Sequence, residues 1–316
     1  MGRCGAMLTK WLTMPGLLSA ATGESMAQSD QSRPCQLERA NEAGLQNARR
    51  TSPQPSRRNF LLSFAAIAGG ASMMTAASDA QADDRSGTGR QADARVPTLL
   101  AFGDSNTWGY MPQIHPGPTR YSRYGPSIRW PMVLERSGRG RFRVVEHGIC
   151  GLVGGLASGE ARFEDGTSRA AIDHVRGVIL ANWPVDELVV MLGTNDLAYP
   201  SLSQPEIIAP KIAATVLAAL DTHRWLGGKS PGITLVSPIP LGRRVIELGI
   251  EENALARSRL LAPVLADQAR LHGWRFLDAA AVGELDTVDG IHWDGTHHCR
   301  FAGMLAPIFG QLGMPR

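Results

Sequence analysis

Five short apolar runs, separated by segments of helical periodicity, constrain the fold of this chain more than any other feature. They span residues 96–102, 142–146, 187–192, 233–236 and 274–277. Runs of this length with little polar alternation belong to strands covered on both faces. Between them, 129–136, 170–181, 205–220 and 251–271 carry helical spacing, and 295–312 closes the chain as a further helix. Strands joined by helices that recross a sheet must be parallel, so the pattern predicts a three-layer α/β domain on a five-stranded parallel sheet. No internal repeat of fixed period interrupts it.

The chain before the first run reads differently. Ser56-Arg57-Arg58-Asn59-Phe60-Leu61 sets two arginines ahead of a mildly apolar Gly- and Ala-rich stretch over 61–77, and Ala80-Gln81-Ala82 follows as a small-x-small cleavage pattern. This resembles a twin-arginine export signal; cleavage after Ala82 would deliver the rest to the periplasm or the medium. Ser, Gly and Asp79 interrupt the run, which therefore falls short of the ~20 strongly apolar residues of a stable membrane anchor. Residues 1–55 are long for the charged part of such a signal, and an overextended gene start would account for them. The polar stretch 83–95, with Gly87 and Gly89, is expected to be a flexible linker, leaving 96–316 as the folded domain.

A net charge of +3 raises the question of a polyanionic partner. Residues 1–82 hold eight Lys/Arg against five Asp/Glu, which leaves 24 of each sign in 83–316. A neutral domain lacks the basic stripe that nucleic-acid binding requires. Neutrality neither opposes nor demands a homo-oligomer. Cys4 and Cys35 lie in the leader, and Cys150 and Cys299 are expected to be buried free thiols.

In open parallel sheets, ligands bind beyond the carboxyl ends of the strands, so the residues after each strand matter most. Gly103-Asp104-Ser105-Asn106 follows the first strand, Gly148-Ile149-Cys150-Gly151 the second, and Gly193-Thr194-Asn195-Asp196 the third; Asp289-Gly290-Ile291-His292 comes after the fifth. Ser105 alone reads better as a helix cap than as a nucleophile. Together the four loops supply an acyl-transfer site: Ser105 as nucleophile, His292 as base and Asp289 to hold the imidazole. Oxyanion donors would be the N–H groups of Ser105 and Gly151 and the side-chain amide of Asn195. Asp294-Gly295-Thr296-His297 repeats the acid–histidine spacing, but Asp294 or Thr296 would cap the last helix and His297 would lie inside it. Asp104 and Asp196 read as turn supports, accepting backbone hydrogen bonds.

These four ordered blocks resemble those of SGNH (GDSL-like) hydrolases over about residues 96–313. Residues 102–110, Arg129-Trp130, Ser237-Pro238 and 288–292 are most similar to the arylesterase and acyltransferase branch. The resemblance implies a flavodoxin-like sheet, a Ser105–Asp289–His292 triad, Ser105, Gly151 and Asn195 as oxyanion donors, and no cofactor. It further implies a small-molecule ester substrate, aryl or acetyl, or an O-acetylated polysaccharide, and a substrate pocket near Trp108, Tyr110 and Trp130. Two positions depart from the pattern: Asn106 replaces the leucine of the named motif, and Cys150 stands where small hydroxyl residues are common.

Two other readings compete. His292, Asp294, His297, His298 and Cys299 crowd a short stretch with metal-ligand side chains, but consecutive residues on a helix point in different directions and no second cluster completes a set. An inactive binding domain on the same fold is the non-enzyme alternative. The stretch 111–127 holds four prolines and reads as a long ordered loop, while His115, His147, His174, His223 and His272 lack an acid at useful spacing and read as structural.

Overall fold

The computed structural model describes residues 95–113, 122–198 and 204–313. The expected export signal, its cleavage site, all of the linker except Arg95, and the middle of the proline-rich loop lie outside them. Among the described residues the strands are β1 (Thr98–Gly103), β2 (Arg143–Gly148), β3 (Glu187–Met191), β4 (Gly232–Ser237) and β5 (Arg275–Asp278). The helices are α1 (Ser105–Trp108), α2 (Trp130–Gly138), α3 (Ala171–Asn182), α4 (Pro205–Trp225), α5 (Glu252–His272) and α6 (Gly295–Phe309). None of these helices is long and apolar enough to cross a membrane.

All strand pairs are parallel, in the order β2-β1-β3-β4-β5. The three-layer sandwich on a five-stranded parallel sheet read from the apolar runs is the fold observed, in the flavodoxin-like form that the family resemblance implies. Alternate residues of each strand explain why both faces are apolar. Leu100, Phe102, Leu188, Val190 and Leu235 pack with Val175 and Ile179 of α3, Ile212 and Val216 of α4, and Leu261 and Leu265 of α5. Leu99, Ala101, Val189, Met191 and Val236 pack with Val133 and Leu134 of α2 and Phe301 and Leu305 of α6. In the three central strands both faces are covered and almost wholly apolar, with Thr98, Thr234 and Ser237 as buried polar exceptions, whereas the edge strands β2 and β5 carry charged residues.

The register brings the carboxyl ends of the strands level. Gly103 pairs with Gly148 on one side and Met191 on the other, and Met191 pairs with Val236. The chain leaves β1 towards β2 and returns across it to β3, so the direction of winding reverses at β1, and a crevice is expected there. Ser105 follows one strand of that crevice and Asn195 the other.

Cys150 is a free thiol, whereas Cys299, expected to be free as well, is disulfide-bonded; the two do not bridge each other. Pairing depends on spatial approach, which spacing along the chain does not encode.

Candidate active site

The nucleophile turn is built by close packing. A Cβ on Gly103 would collide with the Thr107 side chain and the Met191 carbonyl, so only glycine lets β1 turn directly into α1. Asp104 caps that helix, its carboxylate accepting from the Asn106 N–H at 2.9 Å. Gly148 lets the end of β2 lie against the α1 backbone at Trp108, where any Cβ would clash. Ser105 is thereby set in the first turn of α1, at the mouth of the crevice.

Opposite it stands the loop before α6. His292 places Nε2 3.1 Å from Ser105 Oγ and Nδ1 2.8 Å from Asp289 Oδ2. The other oxygen of Asp289 accepts the backbone N–H groups of Ile291 and His292, each at 2.9 Å. One buried carboxylate therefore fixes both the turn and the ring. Burial pushes the Asp289 carboxyl up, but the His292 ring hydrogen bond and charge, with the two N–H donors, outweigh it and hold the group below the usual carboxylate range. The three residues, read from two distant sequence blocks, are brought together in one hydrogen-bonded line.

Gly151 and Asn195 sit on the loops after β2 and β3. Asn195 Nδ2 donates to the Leu152 carbonyl at 3.0 Å, which ties the two loops and leaves a second amide hydrogen. The N–H groups of Ser105 and Gly151 are spent on no other bond among the described residues. Asp196 holds this wall by accepting from the Gly154 N–H at 3.1 Å and from the Gly155 N–H. Burial pushes the carboxyls of Asp104 and Asp196 up to about 6, against the backbone N–H groups that favour ionisation.

The three aromatics expected near the substrate separate. Trp108 lines a cavity of about 280 Å³ with Gly148, Ile149 and Cys150. Tyr110 lies over the His292 ring, centroids 4.3 Å apart. Trp130 is a correction: it is fully buried, edge-on to Phe301 at 5.2 Å, and belongs to the layer between the sheet and α2 and α6. Its indole is buried in that layer and lines no open surface. Burial, reinforced by nearby Asp104, pushes the Cys150 thiol up to about 12, which keeps it protonated and poorly nucleophilic.

Other residues at the site carry no signature in spacing. Gln113 donates its backbone N–H to Asp289 Oδ2 at 3.2 Å and its side-chain amide to the Tyr110 hydroxyl at 2.6 Å. Arg129 forms a two-pronged ion pair with Glu146, both contacts 2.7 Å, and donates to the Tyr124 carbonyl. Arg123 lies over the Trp108 ring and donates to its carbonyl at 2.6 Å. These arginines fasten the returning end of the proline-rich loop beside α1, where Tyr110 bridges Arg123.

The crowded histidines diverge. His297 Nε2 meets the Glu284 carbonyl at 3.0 Å, and His298 is buried with Nδ1 towards the Trp130 N–H. Among the described residues no three acidic, histidine or cysteine side chains converge as a metal site would need.

The profile of the GDSL-like lipase/acylhydrolase family matches residues 101–298, from within β1 to the first turn of α6. No curated protein matches the chain in sequence. Among solved structures, an aryl esterase of M. smegmatis superposes with a TM-score of 0.61 at 27% identity, over 68% of this chain and 99% of its own. A carbohydrate acetylesterase family member from Sinorhizobium meliloti gives 0.59 at 26% identity, over 69% and 100%. Est24, a carbohydrate acetylesterase of that organism, gives 0.60 at 24% identity over 68% and 99%, a likeness of fold alone.

Proposed function

Because this chain belongs to the GDSL-like lipase/acylhydrolase family and is an ester-hydrolysing enzyme, we propose that it is a serine esterase acting on short-chain carboxylic esters through an acyl-serine intermediate. The observation that carries this reading is the line from Asp289 through His292 to Ser105, with contacts of 2.8 and 3.1 Å. A serine hydroxyl attacks only when a base takes its proton, and a ring whose Nδ1 is held by a carboxylate presents Nε2 for that purpose. As Oγ bonds to the ester carbonyl, its proton moves to Nε2. The tetrahedral oxyanion is received by the N–H groups of Ser105 and Gly151 and the free amide hydrogen of Asn195. When the carbon–oxygen bond breaks, Nε2 returns the proton to the departing alcohol. Water, activated by the same ring, then frees the acid. An alcohol or peroxide in place of that water would give acyl transfer by the same steps.

The open depression lined by Trp108, Gly148, Ile149 and Cys150 is small and largely apolar, and a short acyl group would fit it. The alcohol side is an aryl group or a sugar, in line with the aryl esterase and the carbohydrate acetylesterase family member described above. The twin-arginine-like leader supports action outside the cytoplasm.

A series of p-nitrophenyl esters of rising chain length, run on wild type and Ser105→Ala, tests this reading. The rate should peak at acetate and fall with length, and Ser105→Ala should lower kcat by about 10⁶. Turnover that survives in Ser105→Ala refutes the acyl-serine route, and a flat chain-length profile refutes the small acyl pocket.

A further inference from the structure

Asp289 fixes the His292 ring within its own loop, but the distance from Nε2 to Ser105 depends on how that loop is set against α1. One side chain of α1 is hydrogen-bonded to the backbone of that loop on both sides of the histidine. Asn106, the residue after the nucleophile, is buried and donates from Nδ2 to the Ile291 carbonyl at 3.2 Å, while its Oδ1 accepts the Trp293 N–H at 3.0 Å. Those groups belong to the two peptide units on either side of the His292 Cα. A carboxamide offers one donor and one acceptor side by side, as a neighbouring strand would, and so holds both peptides at once. We propose that Asn106 is a positioning residue, which sets the reach of the base by clamping the backbone on both sides of His292 to the turn that carries Ser105.

The clamp rests on the acyl-serine reading, since it acts only through His292. It gives a function to the position where the named motif has leucine. Leucine has the size of asparagine but neither bonding group, and it would leave a buried carbonyl and a buried N–H without partners. Aspartate keeps the acceptor for Trp293 but sets a carboxylate oxygen against the Ile291 carbonyl. Other ties of the loop run from Asp289 to its own backbone, from Gly242 N–H to the Gly290 carbonyl at 2.8 Å and from Gln113 N–H to Asp289 Oδ2 at 3.2 Å, and Tyr110 lies over the His292 ring, but none of them bonds the backbone on both sides of His292 to α1.

The test is a set of kinetic and melting measurements on Asn106→Leu and Asn106→Asp, each also built on His292→Ala, with p-nitrophenyl acetate as substrate. A displaced base should lower kcat by about 10²-fold in Asn106→Leu with KM little changed, because a shift near 1 Å is worth that much. Asn106→Asp should fall between Leu and wild type. In the His292→Ala background neither substitution should lower kcat further, since the group they act through is gone. A kcat near wild type in a cooperatively folded Asn106 variant overturns the proposal. An equal further loss on top of His292→Ala also overturns it, because that marks a general structural role. If Ser105→Ala retains turnover, the acyl-serine reading falls and the clamp with it; if Ser105→Ala is inactive while the Asn106 variants turn over normally, only the clamp falls.

Discussion

Five residues apart, this chain carries the same acid–histidine turn twice, and the two do different work. In both, Nδ1 is held by the carboxylate three residues earlier, at 2.8 Å for Asp289–His292 and 2.7 Å for Asp294–His297. In both, that carboxylate also accepts the histidine's own backbone N–H, at 2.9 and 3.0 Å. What separates them is the partner of Nε2: Ser105 Oγ for His292, and the Glu284 carbonyl for His297. A hydroxyl can give up its proton to a ring nitrogen. A carbonyl can only accept, so His297 is confined to donating. The Asp-x-x-His spacing is a device for fixing an imidazole, and chemistry enters only through what the far nitrogen meets.

Removing each ring in turn is the harshest test of that contrast. His292→Ala should lower kcat on p-nitrophenyl acetate by about 10⁶. His297→Ala should leave kcat close to wild type and lower the melting temperature instead. Comparable kinetic losses in the two variants would break the distinction.

Replacing the acids should give the same contrast at smaller scale. Asp289→Asn keeps the shape but no longer favours the tautomer with Nε2 open to Ser105, and a loss in kcat of about 10⁴ is expected. Asp294 is the N-cap of α6. Asp294→Ala should cost about 1 kcal/mol in urea unfolding, with kcat unmoved. An Asp289→Asn variant of near-normal kcat would demote that carboxylate to a turn support.

Behind the second turn lies the core, and there the sequence was harder to read. The strands were legible because both faces of the sheet are covered and nearly every residue from Thr98 to Gly103 had to be apolar. The loops were legible because glycines cluster where β1 and β2 press against α1. Capping logic distinguishes Asp294, at the head of α6, from Asp289 in the loop. What spacing could not reveal is which face of α2 an aromatic takes in a molecule with two apolar layers, and Trp130 therefore belongs to the core rather than the pocket. Pairings such as Asn106 with Ile291 and Trp293, or Arg129 with Glu146, join distant segments through side chains with no periodic signature. Trp130→Ala should cost about 3–5 kcal/mol of stability and leave KM unchanged; a raised KM at normal stability would restore Trp130 to the pocket.

The second turn also has an electrostatic consequence. Burial works against protonation of His297, but the hydrogen bond and charge of Asp294, with the accepting Glu284 carbonyl, outweigh burial and Arg300 together, so its pKa is raised above the ordinary 6.5. A group that binds its proton more tightly in the folded state stabilises the fold fully below the unfolded pKa, and that contribution is lost as pH rises through the folded one. Stability should therefore decline above pH 6.5, and His297→Gln should flatten that part of the curve. Asp104 and Asp196, with carboxyls raised from 3.8 to about 6, also make stability fall with rising pH, but in the window below His297. Urea midpoints measured across both windows separate the contributions, because the lower slope should persist in His297→Gln and the upper one should not. An upper slope unchanged in that variant would mean that His297 is not held as a cation.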